Sequence, residues 1–260
     1  MKRKHSTINI QQEELAELGT EAEHTQAKQH KKLKNLSDNK SYKDAKDDKD
    51  AKDDKADKEL YLFFDTETIG LPKNSKAVLQ NTVESLSNWP RVVEVAWVLM
   101  DEAMCEVESK TYVIKPDGFT IPDAATNIHK ITTEFALKNG HDLSFVLTQF
   151  MAAVDRAAVL VAHNIQFDVN VLGAELLRSS TQLQSLGLGL VRLQSKTQQC
   201  TMVGSTHFCK LPGYYGYKWP TLEELHRTLF DSTYADMHEA KSDVNACAGC
   251  YFELRRLGVL

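Results

Sequence analysis

Short runs of apolar residues, separated by turn residues, begin at residue 60 and predict the strands of a folded domain. The runs 60–64 (LYLFF), 91–101 (RVVEVAWVLMD) and 110–116 (KTYVIKP) are rich in aromatic and β-branched residues, as buried strands are. Their short connections favour antiparallel neighbours. A fourth run, 157–164 (AAVLVAHN), predicts one more buried strand.

Apolar positions with helical spacing follow these strands. Such spacing occupies residues 141–157, 220–230 and 238–258. The second of these ranges starts with the spacing of a capping box. A further helix is predicted to open at Asp168. Three strands followed by alternating helices and strands indicate an α/β fold, in which helices flank a mixed β-sheet.

The first 59 residues differ sharply from the rest of the chain. They hold one aromatic residue, and Lys recurs at every third position from 40 to 58, a spacing that builds no apolar face. We therefore expect residues 1–59 to be a low-complexity charged tail, mostly disordered, and residues 60–260 to be one domain. A DNA polymerase or another replication or repair protein could dock only through this tail.

Charge and composition exclude several classes of protein. The tail holds 14 basic and 14 acidic residues, so residues 60–260 carry 17 basic and 22 acidic ones. An acidic domain is poorly suited to coating a long duplex. The five cysteines lack the spacing of a disulfide framework, the first residues lack a secretory pattern, and no apolar run is long enough to span a membrane. We therefore expect a cytoplasmic protein without a membrane partner.

Four acidic residues and one histidine border the predicted elements. They are Asp65 and Glu67 in YLFFDTETIG, Asp168 in HNIQFD, and His238 with Asp243 in MHEAKSDVNA. An unpaired charge beside a buried run costs several kcal/mol unless it meets a cation. Clusters of carboxylates suit Mg²⁺ or Mn²⁺, and two such ions about 4 Å apart serve in-line cleavage of a phosphodiester. The pattern indicates a nuclease.

The spacing of these residues sets geometric expectations. Asp65 and Glu67, two apart at a strand end, should point to one face of the sheet. His238 and Asp243 are about 140° apart on an ideal helix, so the closing helix should begin just after the histidine. Each motif alone also has a structural interpretation: a polar strand end, a helix cap at Asp168, or a surface histidine.

The order DTET, HNIQFD and H-x4-D resembles the DEDDh 3′–5′ exonucleases of the DnaQ-like group, from Leu60 to the end of the chain. Small bacterial exonucleases and the proofreading epsilon subunit of DNA polymerase III belong to this group. NIHKIT (127–132) and KWPTLEELHRTLF (218–230) add to the likeness, with Lys130 where the family has glycine. The resemblance implies a ribonuclease H-like fold and the release of nucleoside 5′-monophosphates from the 3′ end of single-stranded nucleic acid. It does not fix the polymer; we expect DNA to be favoured, with DNA repair or proofreading as the setting.

The resemblance also assigns roles. Asp65 would bridge two Mg²⁺ or Mn²⁺ ions, Glu67 and Asp243 would complete the site of the ion that binds the attacking water, and Asp168 would hold the second ion. His238 would be the general base, because a near-neutral pKa suits that task. Weaker candidates for substrate contact are Thr66, Thr68, His129, Asn164 and Phe167, of which Asn164 and Phe167 could instead anchor and pack their loop.

Three alternative functions, and the role of one loop, stay open at this point. FFDTET faintly resembles the phosphatase motif DxDxT, although Glu67 replaces its second Asp. The chain could be an exoribonuclease, or a noncatalytic polymerase-associated module that binds nucleic acid. The aromatic loop 211–219 (LPGYYGYKW) could stack bases or pack on the core.

Overall fold

The computed structural model describes residues 59–179 and 188–260, which are built around a mixed sheet of five strands. The strands are β1 (Leu60–Thr68), β2 (Val92–Asp101), β3 (Glu106–Val113), β4 (Val159–Ala162) and β5 (Thr197–Cys200). Their order is β3-β2-β1-β4-β5, with β1 antiparallel to β2 and parallel to β4. The predicted α/β fold with a mixed sheet is confirmed.

The strand boundaries differ from the predicted ones in specific places. β1 does not end at Asp65, because backbone pairing with β2 continues to Thr68. β3 begins at Glu106, four residues early, because pairing with β2 rather than side-chain polarity sets its start. β5 (TQQC) was missed, since it has no apolar run. It pairs in parallel with β4 along its whole length.

Ten helices accompany the strands in the described residues. They are α1 (Val83–Asn88), α2 (Asp123–His129), α3 (Thr133–Asn139), α4 (Leu143–Arg156), α5 (Ile165–Ser179), α6 (Gly189–Ser195), α7 (Thr201–Gly204), α8 (Thr206–Cys209), α9 (Leu222–Phe230) and α10 (Ala240–Arg256). The predicted capping box is present at the start of α9, where Thr221 and Glu224 each accept a backbone N–H. The short helices α1 to α3 and α6 to α8 were missed, because their periodic patterns are too brief.

The start of α5 corrects one prediction. The helix opens at Ile165 and not at Asp168. Asn164 has φ +71°, and this left-handed residue turns the chain immediately before the helix. Asp168 therefore lies in the first turn, with its side chain buried, instead of preceding the helix as an N-cap.

Alternation along β1 divides the core into two layers. Leu62 and Phe64 pack with α4 and α5 on one face of the sheet. Tyr61 and Phe63 pack with α10 on the other. Because side chains of a strand alternate between faces, the next odd positions, Asp65 and Glu67, continue toward α10, and Thr66 continues toward α5. This alternation positions the site.

The aromatic loop forms a separate two-stranded hairpin, β6 (Pro212–Gly213) and β7 (Gly216–Tyr217). Tyr214 and Tyr215 form its turn and are 91% and 96% exposed. The interpretation that these aromatic side chains pack on the core is therefore wrong for the tip of the hairpin.

Two further predictions concern the whole chain. Among the described helices, none is both long and apolar enough to cross a membrane. The charged tail and its predicted boundary at residue 59 lie almost wholly outside the described residues, so they stay predictions. All five cysteines are free thiols.

Candidate active site

Asp65 and Glu67 lie near the carboxyl end of β1, the central strand, on the face of the sheet against which α10 packs. They pair with Ala96 and Glu94 of β2. A register shift follows between Glu67 and Thr68, where the ladder ends. The backbone of both acids is thus fixed by the central sheet, and their side chains share the face on which α10 packs.

The closing helix brings the third carboxylate to this pair. Asp243 lies in the first turn of α10, and its carboxylate oxygen comes within 4.8 Å of carboxylate oxygens of both Asp65 and Glu67. The Tyr234 hydroxyl donates a hydrogen bond of 2.6 Å to Asp243 Oδ1, which orients that carboxylate. Three of the four predicted acids therefore converge on one point.

Asp168 approaches β1 from α5, on the other face of the sheet. It is 1% exposed, and its Oδ1 accepts a hydrogen bond of 2.7 Å from the Thr66 hydroxyl. The Asp168 charge is also the largest electrostatic influence on Asp65 after burial. The fourth acid is therefore next to the cluster, although its oxygens lie outside the 4.8 Å group.

Burial raises the pKa of every carboxyl group of the cluster, and neighbouring negative charge adds to the shift at Asp65 and Glu67. Burial, followed by the charges of Asp168 and Asp243, raises the pKa of Asp65 well above its usual range. Burial, followed by Asp243, raises the pKa of Glu67 to about 8. Burial raises the pKa of Asp168 to about 7 against the opposing effect of the Thr66 hydroxyl, and it also raises the pKa of Asp243. The cluster is thus short of positive charge.

The donor set fits a hard divalent cation. Within residues 59–179 and 188–260, no Lys or Arg forms an ion pair with any of the four carboxylates. All of the converging ligand atoms are carboxylate oxygens, the type that Mg²⁺ and Mn²⁺ prefer. A cation here would favour the ionised carboxylates and offset the cost of burying them together.

His238 lies on the exposed segment that enters α10. The helix begins at Ala240 with Glu239 as its N-cap, as the spacing of His238 and Asp243 predicts. His238 has φ +69°, a left-handed conformation uncommon for a residue with a Cβ atom. Its charge and its backbone N–H both act on Asp243 to lower the pKa of that carboxyl group against burial. The histidine is therefore beside the cluster.

The remaining predicted contact residues lie in several environments. Thr68 donates its hydroxyl hydrogen bond to the Gly70 carbonyl at 2.6 Å. Phe167 packs against the larger core cluster, whereas Asn164 is exposed. His129 is 7% exposed, and its Nδ1 accepts the Ile131 N–H at 3.1 Å.

His129 Nε2 has a further property. It is buried without a hydrogen-bond partner among the described residues. Since Nδ1 accepts a hydrogen bond, Nε2 carries the proton of the neutral ring and is a donor with nothing to bind. The next residue, Lys130, caps α2 in the left-handed region with φ +64°, which explains why glycine suits this position.

Glu94 and Tyr234 belong to the site but were missed. Glu94 is 8% exposed, and its carboxylate accepts the backbone N–H of Ala240, the first residue of α10. It therefore anchors the helix that carries Asp243, and burial raises its own pKa. The sequence does contain a signal for Glu94, since this acidic residue interrupts the apolar run 91–101. Tyr234 lies in a polar segment without such a signal.

Comparison with known proteins agrees with this geometry. Residues 62–251 match the model of the RNase T family, described as exonuclease. No curated protein sequence matches the chain significantly.

Several solved structures share the fold. Escherichia coli exonuclease I in complex with a dT13 oligonucleotide superimposes with a TM-score of 0.56 at 16% identity, over 77% of this chain and 42% of that one. The zinc-bound form of the E. coli ExoI–ssDNA complex gives 0.55 at 18% identity, over 77% and 41%. This chain thus spans about two fifths of the length of those proteins. The family match covers most of the chain, and the chain belongs to the RNase T exonuclease family.

Proposed function

We propose that the chain is a 3′–5′ exonuclease that shortens single-stranded nucleic acid, with DNA as the favoured substrate, and depends on two Mg²⁺ or Mn²⁺ ions. The observation that carries the proposal is the convergence of Asp65, Glu67 and Asp243 within 4.8 Å, with Asp168 beside them. Exonuclease I, the structural neighbour, forms complexes with single-stranded DNA, which supports the choice of polymer.

The four carboxylates would hold the ions. When bound, the divalent cations would stabilise the negative charge that develops on the phosphate and make water a better nucleophile. The protein's own contribution is preorganisation: the Thr66 hydroxyl fixes Asp168, and the Tyr234 hydroxyl fixes Asp243. Such support keeps ligand atoms in place for the reaction without further rearrangement.

His238 would accept the proton of the attacking water. It is exposed and stands beside Asp243, so it can exchange that proton with solvent after each turnover. A histidine suits this role, because it can take up a proton near neutral pH. The five residues expected of a DEDDh exonuclease are all present near one another, which favours an enzyme over a noncatalytic module.

The polarity of degradation can be tested on an oligonucleotide labelled at its 5′ end. With Mg²⁺, the wild-type protein should produce a ladder of labelled products that shorten one nucleotide at a time. The Asp65→Asn protein should produce none, whereas Glu106→Gln, an exposed acid on β3 far from the cluster, should behave as wild type. Release of labelled mononucleotide as the first product would show the opposite polarity and contradict the proposal.

The same assay addresses the polymer. DNA and RNA of one sequence, offered separately at equal concentration, should give faster shortening of DNA. Faster shortening of RNA would favour the exoribonuclease alternative. Docking of a polymerase or another replication or repair protein through the tail stays a prediction, and a pull-down that compares the full chain with residues 58–260 would test it.

A further inference from the structure

Four aromatic side chains are exposed on and beside the hairpin β6–β7, and the carboxylate cluster uses none of them. Tyr214 and Tyr215 occupy the turn at 91% and 96% exposure, Tyr217 follows at 49%, and Trp219 at 64%. Single exposed apolar residues are ordinary on protein surfaces, whereas a contiguous aromatic group marks a contact surface. We call this group the aromatic hairpin.

The backbone of the aromatic hairpin is closely fixed. A Cβ atom at Gly213 would lie 3.0 Å from the Gly216 carbonyl oxygen and from the Lys218 nitrogen, so a larger residue there would require the neighbouring backbone to shift. Gly216 has φ +126°, a conformation that other residues rarely adopt. The Lys218 N–H also donates to the Leu211 carbonyl at 3.0 Å. The two tyrosines are thus held away from the core by a defined turn.

A histidine connects the hairpin to the candidate active site. His163 Nε2 donates to the Pro220 carbonyl at 3.0 Å, and Nδ1 contacts the Thr201 hydroxyl at 3.0 Å. Burial lowers the pKa of His163 to about 4, so both hydrogen bonds are made by the neutral ring. His163 follows β4 directly and lies five residues before Asp168. Trp219, next to Pro220, is therefore at the same edge of the sheet as the carboxylates.

The charges near the hairpin favour stacking over phosphate neutralisation. Lys210 and Lys218 flank the aromatic residues, but Lys218 pairs with Glu224 at 2.5 Å. Of these two flanking lysines, one is thus already paired with a carboxylate, whereas each exposed ring offers a face on which any base can stack. Exposed aromatic rings connected to the edge of the sheet that carries the carboxylates are suited to a single strand, whose bases are open to contact.

We propose that the aromatic hairpin is a stacking platform for the single-stranded nucleic acid that leads to the 3′ end held by the carboxylate cluster. The inference rests on the proposed function, and it adds a sequence-independent contact upstream of the cleaved nucleotide. Tyr214, Tyr215 and Trp219 are the residues that would contact bases, and His163 is a positioning residue.

Binding is measured first, with the full chain in EDTA so that no hydrolysis occurs. The probe is a 5′-fluorescein oligothymidylate of about 16 nucleotides, a length that covers the usual site of such proteins. Tyr214→Ala/Tyr215→Ala should weaken Kd by about fivefold to hundredfold, the range that loss of one or two stacked bases produces. Tyr214→Phe/Tyr215→Phe keeps both rings and should stay within about twofold of wild type.

A matched control removes an exposed ring elsewhere. Phe145 is 45% exposed and packs on Tyr112 of β3, the opposite edge strand from β5. Phe145→Ala should leave Kd unchanged. The loss in the alanine double variant should also persist between about 50 and 200 mM salt, because stacking releases no counterions. A loss that disappears at the higher salt would overturn the stacking assignment.

Exonuclease assays separate the two possible failures. The loss of kcat/KM in the alanine double variant should be at least about fivefold larger on an oligothymidylate of about 16 nucleotides than on one of about 4. Wild-type protein that binds but does not shorten DNA would remove the proposed function and leave the platform in place. Three outcomes would overturn the platform. The wild-type protein could fail to bind the probe, or the alanine double variant could keep the wild-type Kd. The alanine double variant could also differ from wild type only in its oligomeric state, measured by sedimentation.

Discussion

β1 and the segment 233–239 hold the two kinds of group to which we assign catalytic roles, and they are built in opposite ways. β1 is the central strand of the sheet, and backbone pairing with β2 fixes Asp65 and Glu67. The segment 233–239 is mostly exposed and has left-handed residues at Asp236 and His238. The backbone of Asp65 and Glu67 is therefore held by the sheet, whereas the position of the histidine depends on an exposed segment outside any strand or helix.

This difference in rigidity matches the two roles that we propose, which are charge stabilisation by the carboxylates and proton transfer by the histidine. Electrostatic stabilisation requires ligands that are already in place, since reorganising them during the reaction would raise the barrier. A proton acceptor must in addition return its proton to solvent, which exposure permits. The burial that fixes the carboxylates also has a cost, visible in the raised pKa values of Asp65, Glu67 and Asp168. The following predictions test the contrast from the larger effect to the smaller.

The largest effect should come from removing the charge of a carboxylate on β1 or on the first turn of α10. Asp65→Asn or Asp243→Asn should lower the rate of nucleotide release by at least about a thousandfold, because the cations supply most of the charge stabilisation. In EDTA, the Tm of Asp65→Asn should exceed that of wild type, since the neutral amide relieves repulsion. Nucleotide release by either variant at a rate close to wild type would contradict the assignment.

A smaller loss should follow from removing the histidine. His238→Ala should slow nucleotide release by about a hundredfold, the contribution typical of a general base. Because His238 is exposed, the Tm of the His238→Ala protein should equal that of wild type, in contrast to the Tm of Asp65→Asn. Equal rates and equal pH profiles for variant and wild type would show that another group accepts the proton.

The hydrogen bond that orients Asp243 offers an intermediate test. Tyr234→Phe removes only the hydroxyl that donates to Asp243 Oδ1. Loss of a group that supports a metal ligand typically costs about tenfold to a hundredfold in metal affinity or activity, and we expect the lower end of this range because Asp243 keeps its position on α10. The measurement is the Mn²⁺ concentration for half-maximal rate. An unchanged value would show that the helix alone places Asp243.

The smallest effect is a pH dependence of stability without metal. The pKa of Glu67 is raised in the folded protein to about 8 from 4.5, so the folded state binds the proton more tightly than the unfolded state. The free energy of unfolding should therefore decrease as the pH rises between these values. Glu67→Gln lacks this ionisation, and its Tm in EDTA should exceed that of wild type by a larger margin at pH 8 than at pH 5.

Saturating Mn²⁺ should reverse this trend. The cation replaces the bound protons, so it should stabilise wild type more at pH 8 than at pH 5. A Tm difference between Glu67→Gln and wild type that stays constant with pH in EDTA would show that the Glu67 carboxyl group titrates normally.

Sequence patterns located the acids better than their surroundings. Asp65 and Glu67 follow a strong apolar strand run, and period two correctly predicted their shared face. The spacing of His238 and Asp243 also correctly predicted the start of the closing helix. These features are local, and local patterns are what a sequence shows directly.

Other features depend on contacts between distant segments. β5 forms because β4 offers it an edge, and Glu94 holds the start of α10 from a strand more than 140 positions earlier. The exposure of Tyr214 and Tyr215 likewise depends on the close approach of Gly213 and Gly216. Periodicity within one segment contains no information about such pairings, so these features could not be predicted.

The central claim is that the converging carboxylates form a site for divalent cations. Isothermal titration calorimetry of the full chain with Mn²⁺ at pH 8 tests it most directly, with Asp65→Asn and Glu106→Gln titrated in parallel. We predict two saturable Mn²⁺ ions per wild-type and Glu106→Gln chain, and loss of both in Asp65→Asn, since the Asp65 carboxylate lies within 4.8 Å of those of Glu67 and Asp243 and also interacts with the charge of Asp168. Wild-type protein without saturable binding, or Asp65→Asn with undiminished binding, would contradict the account.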